Sequence, residues 1–462
     1  MAKTKAPVQK NQSIELTFTD ITHEGNGVGK VQGYPIFVPL VLPGETASIK
    51  VVKVNKKFGF GKLLEIKEAS PERETPPCAV FHKCGGCQLQ HMSYAMELQM
   101  KKNQVKNVMK KIAHMEDVPV HPVIGMEEPW RYRNKIQIPV GEKNGELITG
   151  FYRQRSHEII DDMKTCIIQD HTGDDLQEAV RGIANDLGIR AYDETNHQGD
   201  LRHIIVRSAY ETGKAMIVLV TRTELTPQLE TLTEKITQTY PQVSSVIQNI
   251  NSARTNVILG KESRTLFGDD YLVDHMGELE FFISANSFYQ VNPPQTKQLY
   301  EKALEFAAVD AGDTVVDAYC GIGTISLFLA QKAKQVYGVE IVPEAIQEAK
   351  MNAKQNNLDN VEFVVGKAET VMPQWTADGL RPDVVVVDPP RKGCDETLLQ
   401  AMMNMEPERI VYVSCNPSTL ARDLRILADG GYKTREIQPV DMFPQTMHIE
   451  SVTLLEKRKV TT

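Results

Sequence analysis

From about residue 286 onwards, apolar segments of strand length alternate with segments of helical character. The sequence contains seven such predicted strands: DTVVD, QVYGVE, VEFVVG, DVVVVD, RIVYVS, KTREIQPV and ESVTLLEK. This alternation is typical of a doubly wound α/β fold with a mostly parallel sheet. Because ligands bind at the carboxyl ends of the strands in such sheets, residues at the ends of these segments are the first candidates for a functional site.

The stretch VVDAYCGIGTISLFLA (315–330) predicts a strand, a tight glycine turn and a helix. Gly321 and Gly323 allow a ligand to approach the backbone closely at the N-terminus of the helix. The strand ends in Asp317, and the next strand ends in Glu340, where α/β nucleotide sites usually hold a ribose diol. The turn lacks the third glycine of the dinucleotide fingerprint. The pattern therefore resembles an S-adenosylmethionine pocket, with a dinucleotide-dependent oxidoreductase as the alternative.

The strand DVVVVD leads into the sequence Asp388-Pro-Pro-Arg391, which brings Asp388 to the ligand-binding edge of the sheet. Methyltransferases that modify amino groups usually carry Asn-Pro-Pro and an aromatic residue at this place, to hold the amine. The departure from that pattern points away from adenine or glutamine amines as the methyl acceptor.

The next strand, RIVYVS, carries Cys415 to the same edge, and a helix is predicted just beyond it. A thiolate that adds to C6 of uracil makes C5 nucleophilic enough to attack a sulfonium methyl group, which is covalent catalysis. We expect the helix N-terminus near Asn416–Thr419 to lower the pKa of the thiol. A lone cysteine at a strand end is more often a small buried hydrophobe, but the neighbouring methyl-donor motif favours a nucleophile here.

The proposed chemistry also needs a base, because the C5 proton must leave after methyl transfer. Glu450 is the first residue of the last predicted strand, and we expect it to lie opposite Cys415 across the sheet edge. His448 is a second candidate, although a structural role in the turn fits it better.

Residues 12–67 consist of short strand-like runs separated by glycine-rich turns, which predicts a small closed OB-like barrel at residues 8–67. Residues 1–69 contain ten Lys/Arg and six Asp/Glu, a net charge of +4, whereas the whole chain carries −8. Such barrels often bind single-stranded nucleic acid, and a purely structural barrel is the alternative. The candidate surface cations are Lys50, Lys53, Lys56, Lys57 and Lys62.

A proline-rich linker, SPERETPPC, begins a mixed α+β middle domain assigned to residues 68–285, and the methyltransferase-like domain is assigned to residues 286–462. The stretch SYAMELQMKKNQVKNVMKKIAH (93–114) predicts an amphipathic helix capped by Ser93. A cluster further on mixes aromatic and cationic residues, which suits stacking on bases and pairing with phosphates, or a plain surface strand. Its members are Trp130, Arg131, Tyr132, Arg133 and Lys135.

The seven cysteines, in a chain whose first ten residues lack a signal-peptide core, argue against a disulfide framework. Three of them form the motif C-x5-C-x2-C: Cys78, Cys84 and Cys87. Together with the distant Cys166 they suit a tetrahedral zinc ion or an iron–sulfur cluster, and the spacing does not decide between the two. Cys320 and Cys394 are predicted to be packing or surface residues.

Taken in order along the chain, these motifs resemble the RNA uracil-5-methyltransferases, close to the branch that acts on 23S ribosomal RNA and carries an N-terminal TRAM barrel. The segment FVPLVLPGE resembles the TRAM module. Five further segments resemble the catalytic motifs of the family in order and spacing: SANSFYQVNP, DAYCGIGT, VVVDPPRKG, VSCNPSTLARDL and DMFPQTMHIE. The resemblance implies a multidomain α/β protein with a TRAM barrel, a middle domain and a C-terminal Rossmann-like methyltransferase domain.

The resemblance also implies roles for single residues. Cys415 would be the nucleophile and Glu450 the general base. The residues that would contact S-adenosylmethionine are Gln290, Tyr319, Glu340 and Asp388, of which Gln290 and Asp388 would also lie near the target uracil. The segment CGGCQLQHM and the distant cysteine resemble the [4Fe–4S] motif of the family, whose ligands would be Cys78, Cys84, Cys87 and Cys166.

We therefore expect an enzyme that methylates C5 of uridine in RNA, with 23S ribosomal RNA as the substrate and transfer RNA as the alternative. A non-catalytic RNA-binding assembly factor and an iron–sulfur oxidoreductase are the competing functions. No run of 18 apolar residues predicts a transmembrane helix, and we expect a cytoplasmic monomer.

Overall fold

The computed structural model describes residues 6–161, 163 and 165–458. The chain divides into two compact units. The first comprises the chain up to Gln104 together with Gln445–Met447, and the second comprises Val105–Pro444 and the chain from His448 onwards. Residues 1–5, at the start of the N-terminal segment, lie outside the described residues. So do residues 459–462, at the end of the predicted domain 286–462. The boundaries predicted at residues 8–67, 68–285 and 286–462 stay a prediction.

The first unit contains a closed barrel of five strands, which confirms the predicted OB-like barrel. The strands are β1 (Ser13–Ile21), β2 (Asn26–Val31), β3 (Tyr34–Pro39), β4 (Thr46–Val54) and β5 (Gly59–Glu68). Their order around the barrel is β1-β2-β3-β5-β4, and the parallel pairing of β3 with β5 closes it. The interior is filled by alternate apolar side chains, among them the fully buried Phe18, Ile36 and Ile49.

One apolar run of the barrel, GVGKVQGYPIFVPLVL, contains two strands rather than one. Gln32 and Gly33 connect β2 to β3, and both have positive φ angles, of 48° and 82°. A two-residue turn of this kind matches the right-handed twist of a hairpin, and glycine adopts its second position without strain. The run therefore folds back on itself.

The predicted helix at residues 93–114 consists of two parts. The α-helix α1 spans Tyr94–Val108, and a π-helical turn follows at Met109–Ala113. The Ser93 hydroxyl accepts a hydrogen bond of 3.1 Å from the Met96 backbone N–H, which confirms the predicted N-cap. His114 ends the turn in the left-handed conformation.

The second unit contains a six-stranded sheet between residues 135 and 268. Its strands are β6 (Lys135–Lys143), β7 (Glu146–Thr149), β8 (Leu201–Ser208), β9 (Ala215–Thr221), β10 (Val243–Ile250) and β11 (Glu262–Gly268). The order is β11-β10-β9-β8-β6-β7, with a single parallel pair, β9 with β10. Helices α2 (His171–Asp186) and α3 (Thr226–Thr239) contribute to the apolar cluster of this sheet. A hairpin of β12 (Tyr271–Met276) and β13 (Leu279–Ser284) follows.

The remaining strands of the second unit form a seven-stranded sheet that contains all seven segments predicted to be strands. They are β14 (Thr314–Ala318), β15 (Gln335–Glu340), β16 (Val361–Val365), β17 (Val384–Val387), β18 (Arg409–Ser414), β19 (Tyr432–Val440) and β20 (Glu450–Lys457). The order is β16-β15-β14-β17-β18-β20-β19. The pairs among β14 to β18 are parallel, whereas β20 is antiparallel to both neighbours.

Six helices accompany this sheet. They are α4 (Pro293–Ala307), α5 (Thr324–Ala330), α6 (Pro343–Gln355), α7 (Ala368–Ala377), α8 (Glu396–Met405) and α9 (Pro417–Asp429). The central strands are buried on both faces, and Val384–Val387 have no exposed surface, as expected for parallel strands covered by helices. No helix among the described residues has the length and apolarity that crossing a lipid bilayer requires.

Candidate active site

Five polar residues of the seven-stranded sheet lie at one edge. Asp317 and Glu340 are at the carboxyl ends of β14 and β15, Asp388 follows β17, and Cys415 follows β18. Glu450 begins the antiparallel strand β20 and therefore lies at the same edge. The edge combines four carboxyl groups and one thiol, which is a candidate active site because ligands bind at this end of an α/β sheet.

The turn after β14 has an unusual backbone. Tyr319, Gly321 and Gly323 all have positive φ angles, of 66°, 55° and 84°. A Cβ atom built on Gly321 would meet no atom within 4 Å, so the space in front of this residue is open to a ligand. The left-handed conformation is costly for tyrosine, and such strain concentrates at ligand-binding sites. The turn therefore fits the close approach of a cofactor to the backbone.

Buried carboxyl groups in this site have raised pKa values. Burial raises the pKa of Asp317 to about 7, and the neighbouring Asp388 and Glu340 charges add smaller contributions. The Ser326 hydroxyl opposes this shift by donating a hydrogen bond of 2.5 Å to Asp317 Oδ2. Burial raises the pKa of Asp388 to about 6. Burial and the Asp388 charge raise the pKa of Glu450 well above its ordinary value. Each of these carboxyl groups is therefore a stronger base, when ionised, than an exposed one.

The register of β18 and β20 brings Cys415 and Glu450 together. The antiparallel ladder ends with the pair Ser414 and Ser451, so Cys415 and Glu450 each lie one residue beyond the last pair, at the same end of the two neighbouring strands. The two groups also interact electrostatically, since the Glu450 charge contributes to the raised pKa of the Cys415 thiol.

The prediction that the helix N-terminus lowers the pKa of Cys415 is wrong for this structure. Burial, followed by the Glu450 and Asp388 charges, raises the pKa of the thiol to about 11, and only Arg391 and the backbone oppose this shift. Helix α9 does begin at Pro417, capped by Asn416, whose side chain accepts a hydrogen bond of 3.0 Å from the Ser418 N–H. The partial charge of the helix is outweighed because the half-buried thiol lies beside two carboxyl groups.

The loop that follows Asp388 is held by the first turns of α9. The Asn416 side-chain amide donates a hydrogen bond of 3.0 Å to the Arg391 carbonyl, and the Arg422 guanidinium donates one of 3.0 Å to the Lys392 carbonyl. The fully buried carboxylate of Asp423 accepts hydrogen bonds from the Cys394 N–H and the Tyr412 hydroxyl, of 2.8 and 2.6 Å. These contacts fix the loop that carries Arg391 next to the thiol.

Gln290 and Tyr319 also lie in the second unit. Gln290 is buried in the segment between β13 and α4. Asn292 anchors this segment: the Asn292 side chain accepts a hydrogen bond from the Gln295 N–H and donates one of 3.1 Å to the Met442 carbonyl. The Tyr319 hydroxyl donates a hydrogen bond of 2.8 Å to Glu369. The predicted contacts of both residues with a cofactor stay predictions.

Several residues of the site were not singled out from the sequence. Ser326 binds Asp317, Asp423 organises the loop after Asp388, and Tyr300 is buried close enough to Asp388, Asp317 and Glu450 for their charges to raise its pKa. Ser326 lies nine residues beyond Asp317, in the helix predicted after the glycine turn. This position was a sequence signal from which its contact with Asp317 could have been predicted. Tyr300 and Asp423 gave no signal, because their contacts depend on packing between elements.

The cluster around residues 130–135 is largely structural. Arg131 forms an ion pair of 2.6 Å with Asp174 and donates hydrogen bonds to the carbonyls of Cys166 and Gln169. Tyr132 is buried, and its hydroxyl donates a hydrogen bond to the Pro444 carbonyl. Burial of Tyr132 leaves its ring no face for stacking on a base, whereas the role of Arg131 in pairing with phosphates stays a prediction. The half-buried residues of the cluster are Trp130, Arg131, Arg133 and Lys135.

The cysteines of the predicted cluster lie in different units. Cys78, Cys84 and Cys87 belong to the first unit, where the Gly86 N–H donates a hydrogen bond of 3.3 Å to Cys84 Sγ, and Cys166 belongs to the second. Across residues 6–161, 163 and 165–458, no group of three or more His, Cys, Asp or Glu side chains is arranged to hold a metal ion. The [4Fe–4S] group on these four cysteines stays a prediction.

The remaining candidates have unremarkable surroundings. Cys320 and Cys394 are buried, in agreement with their predicted packing role. His448 is exposed, and its ring contacts that of Phe443 at a centroid distance of 5.9 Å. This position in the turn before β20 agrees with the structural interpretation of the histidine.

Comparison with known proteins adds two family matches. The model of the tRNA (uracil-5-)-methyltransferase family matches residues 93–458, and that of the TRAM domain matches residues 7–64. A protein from Oceanobacillus iheyensis named as an uncharacterized RNA methyltransferase is 62% identical over 452 residues, covering 98% of both chains. Another so named, from Halalkalibacterium halodurans, is 58% identical over 456 residues, covering 99% of both.

A solved structure is similar over almost the entire length. It is the crystal structure of the tRNA (uracil-54, C5)-methyltransferase of Pyrococcus abyssi in complex with S-adenosyl-L-homocysteine. The TM-score is 0.76 at 27% sequence identity, and the match covers 96% of this chain and 99% of that one.

Proposed function

Because the chain belongs to the tRNA (uracil-5-)-methyltransferase family, we propose that it methylates C5 of uridine in 23S ribosomal RNA through a covalent bond between Cys415 and C6 of the base. The chain is an S-adenosylmethionine-dependent RNA uracil-5-methyltransferase. The proposal adds the RNA and the covalent route. The proximity of Cys415 to Glu450 and Asp388 at one edge of the sheet carries it.

The proposed reaction uses the thiol twice. The Cys415 thiolate adds to C6, and the electron pair of the C5–C6 double bond becomes an enolate that is nucleophilic at C5. C5 takes the methyl group from the sulfonium donor, which leaves as the neutral thioether. Glu450 then removes the proton from C5, the C6–S bond breaks, and the C5–C6 double bond and the thiolate are restored.

The residues assigned to the methyl donor fit a molecule of that kind. The open space at Gly321 admits a ligand against the backbone, and the Glu340 carboxylate at the end of β15 suits a ribose diol. Two apolar side chains follow it on the surface, Ile341 and Val342, which are 54% and 45% exposed. We assign the donor to this pocket, together with Asp317, Gly323, Gln290, Tyr319 and Asp388.

Burial also supports a covalent route. A site that excludes water strengthens electrostatic interactions and protects the enolate from a stray proton. Glu450 is only 5% exposed, and its raised pKa makes it an effective proton acceptor once ionised. Arg391, which lowers the pKa of both Cys415 and Glu450, is the cation that stabilises negative charge on these groups.

Transfer RNA is the second candidate substrate. The similarity to the Pyrococcus abyssi tRNA enzyme favours it, whereas the combination of a TRAM barrel with the cysteine motif favours ribosomal RNA by resemblance. Incubation of unmodified 23S ribosomal RNA and transfer RNA transcripts with the protein and a labelled methyl donor distinguishes the two candidate substrates. The proposal requires label in 23S ribosomal RNA; label in transfer RNA alone contradicts it.

We also propose that the protein is a cytoplasmic monomer with a [4Fe–4S] cluster on Cys78, Cys84, Cys87 and Cys166. No step above depends on the cluster. Anaerobic purification followed by iron and acid-labile sulfide analysis tests it: four of each per chain are expected, and zinc without sulfide would overturn it.

The covalent step is tested by substitution and trapping. We expect Cys415→Ala to reduce methylation below about one thousandth of the wild-type rate, because a nucleophile is lost, while binding of S-adenosyl-L-homocysteine persists. With 5-fluorouridine in the RNA, fluorine replaces the C5 proton, so the wild-type protein should remain covalently attached. A wild-type protein that methylates RNA but is never trapped contradicts the covalent route. As a control, Cys394→Ala should be trapped like the wild type.

A further inference from the structure

A cleft at the six-stranded sheet of the second unit has the size of a ligand site. Its volume is about 720 Å³, within the range of about 300–1,000 Å³ that is usual for small-molecule sites. Its floor contains Val140 of β6 and His203 of β8. The residues proposed for the reaction and for the methyl donor are all described, and none of them lines this cleft. It is therefore separate from the candidate active site.

Two short hairpins form the walls of the cleft. The first spans residues 151–160 and the second residues 192–201. A backbone hydrogen bond of 2.9 Å joins the two ends of each hairpin, from the Ile160 N–H to the Phe151 carbonyl and from the Tyr192 N–H to the Leu201 carbonyl. The walls are therefore formed before any ligand binds.

The first wall carries rings on which a flat ligand can stack. Tyr152 is half-buried, and its ring centroid lies 5.4 Å from that of His157, with an interplanar angle of 31°. On the side of the second wall, the Arg202 guanidinium lies 4.3 Å from the centroid of the Tyr192 ring. Arg202 is held there because it donates a hydrogen bond of 2.7 Å to the Asn251 carbonyl.

Four carboxyl groups line the cleft, and three of them accept hydrogen bonds from neighbouring groups: Glu142 from Arg190, Asp193 from the Thr195 N–H and Asp200 from the Thr223 hydroxyl. The fourth is Glu194, whose side chain is 54% exposed. Among the described residues, its ion-pair contact is with His157 Nδ1 at 3.9 Å, which is too long for a hydrogen bond. The Glu194 carboxylate is therefore available to a ligand.

Glu194 and the Tyr152 ring share one part of the cleft. Burial is the main cause of the raised pKa of the Tyr152 hydroxyl, and the Glu194 charge adds to it. The Arg202 charge acts in the opposite direction. A stacking surface, a free carboxylate and a fixed cation therefore lie within electrostatic reach of one another.

His203 adds an unpaired polar group to the floor. Its Nδ1 atom is buried and forms no hydrogen bond with any described residue. Burial, with a smaller contribution from the Arg202 charge, lowers the pKa of this histidine to about 4, so its ring is neutral at neutral pH. A neutral imidazole has one donor and one acceptor nitrogen, which suits the edge of a heterocyclic base.

The lining selects the kind of ligand. Carboxylates outnumber the two arginines of the lining, Arg190 and Arg202, which disfavours a phosphate group inside the cleft. Carboxylate oxygens only accept hydrogen bonds, so the ligand edge beside Glu194 must present N–H groups. Guanine presents two adjacent ones, N1–H and the N2 amino group, which match the two oxygens of a carboxylate in the way a guanidinium does. Uracil instead presents carbonyl oxygens on both sides of N3–H, and a carboxylate repels them.

We propose that this cleft binds an unpaired guanine base, which stacks on Tyr152 and donates hydrogen bonds from N1–H and the N2 amino group to Glu194. Proteins that read single-stranded RNA recognise splayed-out bases in this way, by stacking and by hydrogen bonds to the Watson–Crick edge. The site deepens the proposed function, on which it rests for RNA as the source of the guanine. It reads a guanosine other than the target nucleotide; a free guanine nucleotide is the second source.

Calorimetric titration of the full-length protein with guanosine, inosine and adenosine monophosphates tests the free nucleotide. Inosine monophosphate lacks only the N2 amino group, so we expect it to bind roughly tenfold more weakly than guanosine monophosphate, because one hydrogen bond to a charged group is lost. Adenosine monophosphate also lacks the N1–H and should bind no better than inosine monophosphate. The ratio of the dissociation constants measures recognition of the guanine edge.

A pair of short RNAs tests the other source. Each has about 12 nucleotides, cytidines around a single guanosine in one and around a single inosine in the other, so binding elsewhere on the protein is the same for both. A preference for guanosine within RNA supports the site and assigns the guanine to RNA. A preference among the free nucleotides alone supports the site and assigns it to a nucleotide. No preference in either experiment overturns the proposal.

The carboxylate has a matched control on the neighbouring hairpin. Glu194→Gln keeps the size of the side chain but removes its charge, so the preference for guanine over hypoxanthine should fall roughly tenfold. Glu158 pairs with Arg153 at 3.1 Å and does not line the cleft, so Glu158→Gln should keep the wild-type preference. The same preference in Glu194→Gln as in the wild type contradicts the assignment.

Stacking is tested by a second pair of variants. Tyr152→Leu removes the ring and should weaken guanine and hypoxanthine binding by the same factor, roughly tenfold, because stacking does not depend on the amino group. Tyr152→Phe keeps the ring and should restore the affinity. Unchanged affinity of Tyr152→Leu, at equal thermal stability, would show that the base does not stack there.

The site and the proposed reaction can fail separately. Cys415→Ala should abolish methylation and keep the preference for guanine. A wild-type protein that prefers guanine but methylates no uridine removes the reaction and leaves the site. A wild-type protein that methylates 23S ribosomal RNA but shows no preference for guanine removes the site and leaves the reaction.

Discussion

The thiol of Cys415 is poorly ionised in the protein without RNA, because burial and two neighbouring carboxyl groups raise its pKa to about 11. In the proposed reaction the nucleophile is the thiolate. Below the pKa, the thiolate fraction rises about tenfold for each unit by which the pH increases. Arg391 is the cation that opposes the shift. The balance between this one guanidinium and the charges of Glu450 and Asp388 therefore controls how much thiolate is present at neutral pH.

At this scale we expect Arg391→Gln to raise the pKa of Cys415 further, because removing a cation disfavours the anionic thiolate. The rate of trapping by 5-fluorouridine-containing RNA should fall at neutral pH by roughly tenfold, and its rise with pH should move to higher pH. Time courses of covalent trapping, quenched at intervals and repeated between pH 6.5 and pH 9.5, measure the trapping rate. Arg391→Lys keeps a positive charge and serves as the control; an unshifted profile for Arg391→Gln would show that the arginine does not act on the thiol.

At the scale of elements, β14, the glycine turn and α5 form one side of the proposed cofactor pocket. The two glycines of the turn meet different surroundings. Gly321 faces open space, whereas a Cβ atom on Gly323 would lie 2.9 Å from the Phe363 ring and 3.2 Å from Ala349. For folding, Gly321 is therefore required only for its backbone conformation, whereas Gly323 is required also for the packing of α5 against its neighbours.

This difference predicts unequal costs for the same substitution. Gly321→Ala should lower the free energy of unfolding by about 1–2 kcal/mol, the penalty of a left-handed conformation for a residue with a Cβ atom. Gly323→Ala should lose about a further 1–3 kcal/mol through overpacking. Urea unfolding of the two variants measures the difference. Equal losses would mean that the structure around Phe363 yields without cost.

At the scale of the whole molecule, each compact unit has buried clusters of its own. The barrel encloses Phe18, Ile36 and Ile49, and the seven-stranded sheet is covered by apolar side chains on both faces. A chain of this size with separate cores is expected to unfold through intermediates rather than in one step.

We therefore expect Phe18→Ala, which empties the barrel core, to lower the stability of the barrel by about 3–5 kcal/mol. Binding of S-adenosyl-L-homocysteine should remain, since the residues assigned to the cofactor lie in the other unit. Peptide-resolved hydrogen exchange measures the stability of the barrel, and isothermal calorimetry measures the binding of S-adenosyl-L-homocysteine. Loss of cofactor binding in this variant would show that the two cores are energetically coupled.

Much of the sheet and of its reactive edge was predictable. Apolar runs of four to six residues fix where a buried strand lies, and the residue after such a run marks its end, so Asp317, Glu340, Asp388 and Cys415 could be assigned to one edge. The closed barrel followed from short runs and glycine turns in the same way. These features depend on neighbours in the sequence, and periodicity records such neighbours.

Long-range contacts needed the tertiary structure. Strand β20 lies between β18 and β19, and this antiparallel insertion brings Glu450 to the same edge as Cys415. The raised pKa of the thiol reverses the expectation from the helix terminus, because desolvation depends on everything packed around a group. The hydrogen bonds of Asp423 likewise depend on which strands and helices become neighbours. Local pattern thus determined the elements and their ends, and packing decided pairing, burial and charge.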